Sequence, residues 1–319
     1  MNQHTGSPAD SDPIDAIVAG DWRQAAKLIT LIERGDVDST PLLRALYRAG
    51  GRSHVVGVTG APGSGKSTLV NQLVAVYRQA GKRVAVLAID PSSPFSGGAI
   101  LGDRVRMQRH AADDKVFIRS MSSRGALGGL AKAAGDAVTV LDAMGWDVVI
   151  VETVGVGQNE IDIVRYAATV VLVETPSSGD AVQAVKAGVT EIGDVFVVNK
   201  CDQPGADRRA QALMDMLHNS ATKQGWSPPV LKTDSVAGHG LADLVDAIGG
   251  HGHFLDTHPA ARKHRLIQSV THQMLWINHE WMARRLWQAP RAVLSDGDIE
   301  DLFQRRTDPY ELASRLSRP

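Results

Sequence analysis

The sequence predicts an α/β fold: a doubly wound, mostly parallel sheet with helical extensions at its N-terminal and C-terminal ends. Three observations carry this. Apolar runs at residues 83–90, 146–152 and 195–198 are nearly continuous, as expected of strands covered on both faces. Segments of helical periodicity alternate with such runs along most of the chain. A further short strand, residues 55–59, opens into Gly60-Ala61-Pro62-Gly63-Ser64-Gly65-Lys66-Ser67-Thr68. That stretch fits G-x-x-x-x-G-K-[ST], the phosphate-binding loop, and its strand-loop-helix setting places the chain in the P-loop NTPase class.

The elements follow in order. Residues 1–12 are polar and read as a disordered tail. Residues 13–50 form an N-terminal helical extension: Ile14, Ile17, Trp22, Ala25, Leu28, Ile29 and Ile32 have helical spacing, Gly35-Asp36 is a stop signal, and residues 40–49 make a second helix. Its expected role is packing. Residues 51–256 form the nucleotide domain. In the helix after the loop, residues 67–80, Leu69, Leu73, Val76 and Tyr77 form the apolar stripe. Strand and helix signals then alternate through residues 168–174, 179–187, 195–198, 207–222, 230–232 and 241–248. Residues 257–319 are a C-terminal helical extension. Its long helix, residues 262–287, carries Leu266, Val270, Met274, Ile277 and Trp281 on one stripe, which is either core or a dimer face.

The loop explains its own residue types. Glycines let the backbone wrap a polyphosphate and point amides inward, and the following helix N-terminus adds its dipole. Lys66 reaches the β- and γ-phosphates, and the Ser67 hydroxyl can ligate magnesium. The strand at 83–90 ends in Asp90, followed by Pro91-Ser-Ser-Pro94-Phe-Ser-Gly97-Gly98, a loop at the strand end where open α/β sheets place ligands. The strand at 146–152 ends in Glu152-Thr-Val-Gly155, with the spacing of the D-x-x-G element of GTP-binding proteins and Glu in place of Asp. A carboxylate there can hold the magnesium shell, and the Gly155 amide can sense the γ-phosphate. Val156 stands where many small GTPases have a water-positioning Gln, so slow intrinsic turnover is expected; Gln158 is a weaker candidate for orienting water.

Asn199-Lys200-Cys201-Asp202 follows the strand at 195–198 and fits N-K-x-D, the guanine-reading element. The Asp202 carboxylate can accept both N1–H and the exocyclic amino hydrogen of guanine. Adenine lacks that donor pair, so GTP is expected over ATP. Asp234-Ser235-Val236, after another strand, occupies the place of a second base-contacting loop. His251, His253, His258 and His264 form a loose group read as a solvated linker, because compact metal-ligand spacing is absent.

Composition narrows the classes. A formal net charge of −1 gives no electrostatic case for binding nucleic acid or an anionic membrane. No apolar run approaches the ~20 residues of a membrane span. The single cysteine, Cys201, permits no intramolecular disulfide, so a cytoplasmic location is expected.

With these residues in hand, the chain resembles the methylmalonyl-CoA mutase-associated GTPases of the MeaB/ArgK type over nearly its whole length. The most specific pieces are the loop after Asp90, Leu101-Gly-Asp103-Arg104, Arg124-Gly-Ala-Leu-Gly-Gly129 and Glu152-Thr-Val-Gly-Val-Gly-Gln158. The resemblance implies a homodimeric, magnesium-dependent GTP hydrolase that acts as chaperone of an adenosylcobalamin-dependent acyl-CoA mutase and gates its cofactor loading or protects it. It implies that Asp90, Asp103 and Glu152 surround magnesium and its waters, and that Gln183 and Lys186 belong to an extra switch loop, residues 177–186, that signals nucleotide state to the mutase. The chain departs from the family there: Pro176-Ser-Ser-Gly-Asp180-Ala181 replaces Pro-Gly-x-Gly-Asp-[Asp/Glu], and Cys201 replaces the usual Ala of the guanine element. The alternatives are a nickel-delivering metallochaperone GTPase, disfavoured by the absence of a Cys-x-His pair, and an ATP-driven kinase or transport ATPase, disfavoured by N-K-x-D.

Overall fold

The computed structural model describes residues 12–35, 38–90, 110, 112–122, 129–153, 166–177, 192–218, 225–288, 295–307 and 311. Among these, seven strands form one sheet: β1 (His54–Gly60), β2 (Val84–Asp90), β3 (Val116–Ser122), β4 (Val148–Thr153), β5 (Thr169–Glu174), β6 (Val195–Asn199) and β7 (Val230–Thr233). Their order is β3-β2-β4-β1-β5-β6-β7, and every pairing is parallel. The sheet is thus parallel throughout, where the sequence promised a mostly parallel one. Every residue of β4, β5 and β6 is buried, which is why these strands read as unbroken apolar runs.

Among the described residues three helices precede β1: α1 (Pro13–Val18), α2 (Trp22–Arg34) and α3 (Thr40–Ala49). Asp12, read as the end of the tail, is the N-cap of α1 and accepts from the Ile14 amide at 2.9 Å. Asp21 caps α2 in the same way, and Gly35 ends it in the left-handed region at φ 67°. The buried faces of α2 and α3, including Leu28, Ile29 and Leu46, pack on helix α5 (Gly129–Ala143). Asp142 of α5 then fastens the chain entering β1: its carboxylate accepts from the amides of Gly51, Arg52 (3.0 Å) and Ser53 (2.8 Å).

Helix α4 (Lys66–Gln79) follows the phosphate loop and buries Leu69, Leu73 and Tyr77 against Val56, Val86, Ile150 and Val171 of the sheet. Helix α6 (Ala206–His218) closes a second cluster with Leu172, Phe196 and Val198. Helix α7 (Leu241–Thr257) adds Leu244 and Ile248 to the main core.

The solvated linker read around His251, His253, His258 and His264 is corrected here. Residues through Thr257 continue α7, and His251 is only 4% exposed. Gly249, Gly250 and Gly252 lower helix propensity and break the periodic pattern. Burial of His251 and Leu255, with Trp226 against His251 and Phe254, outweighs that cost. Among the described residues no group of three or more His, Cys, Asp or Glu side chains could hold a metal ion.

The chain divides into two compact units, residues 1–273 and 274–319, within helix α8 (Pro259–Gln288); helix α9 (Asp296–Phe303), capped by a reciprocal Ser295–Asp298 box, lies in the second. Of the predicted stripe, Leu266, Met274 and Trp281 are exposed, as are Ile267 and Leu275. Among the described residues no helix is long and apolar enough to cross a membrane.

Candidate nucleotide site

Because all strands are parallel, their carboxyl ends share one edge. There β1, the central strand, lies beside β5, and the next strand in the chain lies to one side for β1 (β2) and to the other for β5 (β6). This is the switch point at which open α/β sheets bind ligands. Gly60 ends β1 and Lys66 begins α4, so the intervening loop sits on it.

Two glycines are required by geometry. At Gly60 (φ +148°) an added Cβ would lie 2.0 Å from the Val173 carbonyl oxygen of β5. At Gly65 (φ +88°) it would lie 2.4 Å from Asn199 Nδ2. The Lys66 ammonium, 4% exposed, folds back to donate to the carbonyls of Gly60 (2.9 Å) and Ala61 (3.0 Å). Pro62 and Gly63 are exposed at the loop tip, Ser64 is buried, and Thr68 is half-buried one residue past Ser67.

Beside the loop, Ser67 Oγ donates to Glu152 Oε1 at 2.5 Å. Glu152 is 2% exposed, and the neighbouring Thr153 and Thr59 hydroxyls hydrogen-bond at 3.1 Å, tying the ends of β4 and β1 together. A buried carboxylate and a hydroxyl held side by side are the oxygen donors that a hard divalent cation such as magnesium takes. The donor set therefore fits the ion predicted from sequence. The backbone of Asp90 lies at the same edge, since Ile89 pairs with Thr153 in register. The Asp90 side chain, and Asp103, Gly155, Gln158, Gln183 and Lys186, lie outside the described residues.

The guanine element is joined to the phosphate loop by Asn199, 1% exposed at the end of β6. Its Nδ2 donates to the Ser64 carbonyl at 2.8 Å. Its Oδ1 accepts from Thr233 Oγ1 (3.0 Å), Ser235 Oγ (2.7 Å) and the Ser235 amide (3.2 Å). Lys200, at φ 58°, donates to the Gly63 carbonyl at 2.8 Å, and the Cys201 amide to the Thr233 carbonyl at 3.0 Å. Gln72 of α4 donates to the Ser235 carbonyl at 2.9 Å. The structure thus gathers Lys66, Ser67, Glu152, Asn199, Lys200 and Ser235 into one connected edge. Asp202 is exposed on the turn that these bonds fix. Asp234 spends its carboxylate on the amides of Val236 (2.9 Å) and Ala237 (3.1 Å), which shapes the second loop and leaves Val236 85% exposed.

Asn199→Ala is expected to cost about 2–4 kcal/mol, because it leaves the Ser64 carbonyl and the Thr233 and Ser235 hydroxyls without their shared partner. Urea denaturation of the nucleotide-free protein checks this; a loss under about 0.5 kcal/mol would show that Asn199 does not brace the loops.

Sequence reasoning missed Gln72, Thr59 and the Asn199 brace, none of which has a local signal, and also an ion pair beneath residues 176 and 177. Glu174, at the end of β5, accepts from Arg209 Nε of α6 at 2.5 Å. Burial raises its carboxyl above the ordinary 4.5, and the charge and hydrogen bond of Arg209 oppose this without cancelling it. The folded state therefore holds that proton more tightly than the unfolded state. The resulting stabilisation is full below the unfolded pKa and is lost as pH rises through the folded one. Relative to Glu174→Gln, wild-type stability should decline as pH rises through and above the ordinary carboxyl range, measured by denaturation at a series of pH values. A gap that widens with pH would reverse the sign.

Comparison with known proteins settles the lineage. The family model described as "Methylmalonyl Co-A mutase-associated GTPase MeaB" matches residues 25–291. The chain belongs to the MeaB family. A relative from Pyrococcus abyssi is 44% identical over 310 residues, covering 95% of this chain and 94% of that one. GTPase ArgK of Escherichia coli, also similar to this MeaB-family chain, is 33% identical over 307 residues, covering 93% and 89%. Among solved structures, a LAO/AO transport system kinase superposes with a TM-score of 0.71 at 26% identity, covering 96% of this chain and 95% of that one. Membership in the MeaB family makes the protein a P-loop GTP hydrolase.

Proposed function

We propose that this protein is a GTP-hydrolysing chaperone of an adenosylcobalamin-dependent acyl-CoA mutase, in which the nucleotide state gates cofactor loading or protection of the mutase. One observation supports this above the rest: in a chain of the MeaB family, the phosphate loop and the guanine element are joined by Asn199 on one sheet edge. A nucleotide that bridges them reads both its phosphates and its base.

The residues divide the work as follows. Lys66 exchanges the carbonyls of Gly60 and Ala61 for phosphate oxygens, and the amides of residues 61–68 surround the phosphates. Ser67 and Glu152, with Asp90 and Asp103, would hold magnesium, which when bound neutralises charge developing on the phosphates. Gly155 senses the γ-phosphate, and Gln158 orients water. Asp202 accepts two guanine N–H groups, while Asp234, Ser235 and Val236 cover the base. In hydrolysis, water oxygen bonds to the γ-phosphorus as its bond to the β–γ bridging oxygen breaks; GDP, phosphate and a proton leave. The segments after Asp90, Gly155 and Pro176 then lose their phosphate contacts, and affinity for the mutase changes. Gln183 and Lys186 carry that signal, and the Ser177, Ser178 and Ala181 departures tune which mutase is recognised. Exposed Met274, Leu275 and Trp281 on α8 form the homodimer contact, which sedimentation equilibrium tests.

The deciding experiment is GTP turnover by the purified protein, alone and with candidate acyl-CoA mutases in apo and cobalamin-loaded forms. Slow turnover alone and a clear rise with one mutase are expected. Fast turnover in isolation, or no response to any mutase with GTP still bound, would withdraw the chaperone role.

A further inference from the structure

A cavity of about 580 Å³ lies at the edge of the sheet opposite the nucleotide loop, among the amino ends of β1 and β5, helix α7 and the start of α8. Its size is in the range of small-ligand pockets. Nothing in the GTPase mechanism uses it, and parallel α/β sheets place their principal ligand at the other edge.

A fixed polar network adjoins it. His54 of β1 and His251 of α7 both hydrogen-bond Thr169 Oγ1 of β5, at 2.7 and 2.8 Å. Beside them Asp194 holds Arg265 at 2.6 Å, and Arg265 Nε donates to the Ala167 carbonyl at 3.2 Å. Arg265 is therefore locked into the wall. Arg52, also on the lining, rides on the loop whose amides Asp142 fastens. Arg262 of α8 is the third guanidinium, 3.5 Å from Asp256, the one carboxylate on the lining. Burial lowers the pKa of His54 despite the Asp256 charge, so the positive character comes from the arginines.

Two helix glycines border the space, at a propensity cost of about 1 kcal/mol each. Gly252 has a packing reason, since a Cβ there would come within 2.9 Å of the His54 ring. Gly249 has none: a Cβ would meet nothing within 4 Å. Its effect is to keep the cavity open.

We propose that this cavity binds a small organic phosphate monoester, with its dianionic head among Arg52, Arg262 and Arg265 and its ring or acyl body against Leu255, Leu266 and Gly249. Guanidinium forks match phosphate geometry, and three of them against two carboxylates, Asp256 beside Arg262 and Asp194 behind Arg265, leave an excess of positive charge for a phosphate head.

The test is calorimetric titration of phenyl phosphate into full-length protein saturated with GDP and magnesium, so that the phosphate loop is already filled. One site per chain is expected, with benzoate at least tenfold weaker. Arg262→Glu and Gly249→Phe, one removing charge and the other occupying space, should each weaken phenyl phosphate at least tenfold while GDP affinity stays within twofold. Absence of binding, unchanged binding in both variants, equal binding of benzoate, or displacement of GDP by phenyl phosphate would overturn the proposal.

Discussion

Lys66→Ala is expected to lower single-turnover GTP hydrolysis by about 10²–10³-fold. The Lys66 ammonium is buried at the start of α4 and held between two loop carbonyls, at 2.9 and 3.0 Å, so its charge is already at the mouth of the loop before nucleotide arrives. A donor positioned in advance costs no reorganisation when charge develops on the transferring phosphoryl group, and losing one removes roughly 3–4 kcal/mol of transition-state stabilisation. The backbone cradle and the α4 dipole remain in the variant, so GDP binding should fall less than the rate does. Lys66→Arg should not restore the rate, because the planar fork is larger than the point charge that the enclosed loop holds. Single-turnover measurements at saturating protein check both variants. A Lys66→Ala rate within about tenfold of wild type would remove Lys66 from the transition state.

Asp202→Asn should weaken GTP by about 10²–10⁴-fold and make xanthosine triphosphate the preferred substrate. A carboxylate accepts both guanine N–H groups; the amide offers one acceptor and one donor, which opposes guanine and matches the 2-oxo group of xanthine. Two charge-assisted hydrogen bonds, at about 1.5–3 kcal/mol each, set the size of the loss. The turn that presents Asp202 is fixed independently by Asn199, Lys200 and the Cys201 amide, so the substitution changes recognition without moving the loop. Competition binding with GTP, ATP and xanthosine triphosphate measures it. An unchanged preference for GTP would mean that Asp202 does not read the base.

The phosphate loop and the guanine element were legible because each needs particular residues at fixed offsets after a strand. Glu152 was legible because an acid at a strand end, about ninety residues after that loop, is a position as well as a residue type. The Asn199 brace was not: one side chain bonds Ser64 and Ser235 across 135 and 36 residues of chain, and no local pattern encodes such partners. The solvated linker read around His251, His253, His258 and His264 failed for the opposite reason. Local glycine content pointed away from helix, and burial of His251 and Leu255 overruled it.

By itself the sequence determined the parallel α/β class and the GTP hydrolase lineage. Strand burial writes itself as apolar runs, and the phosphate loop and the guanine element each place their residue types at fixed offsets after a strand. Only the tertiary structure decided strand order, and with it the meeting of β1, β6 and β7 at one edge, the Glu174–Arg209 pair, and the arginine-lined cavity at the other edge. These depend on which distant segments pack together, a choice made by complementary surfaces and buried hydrogen-bond partners rather than by any local run of residues.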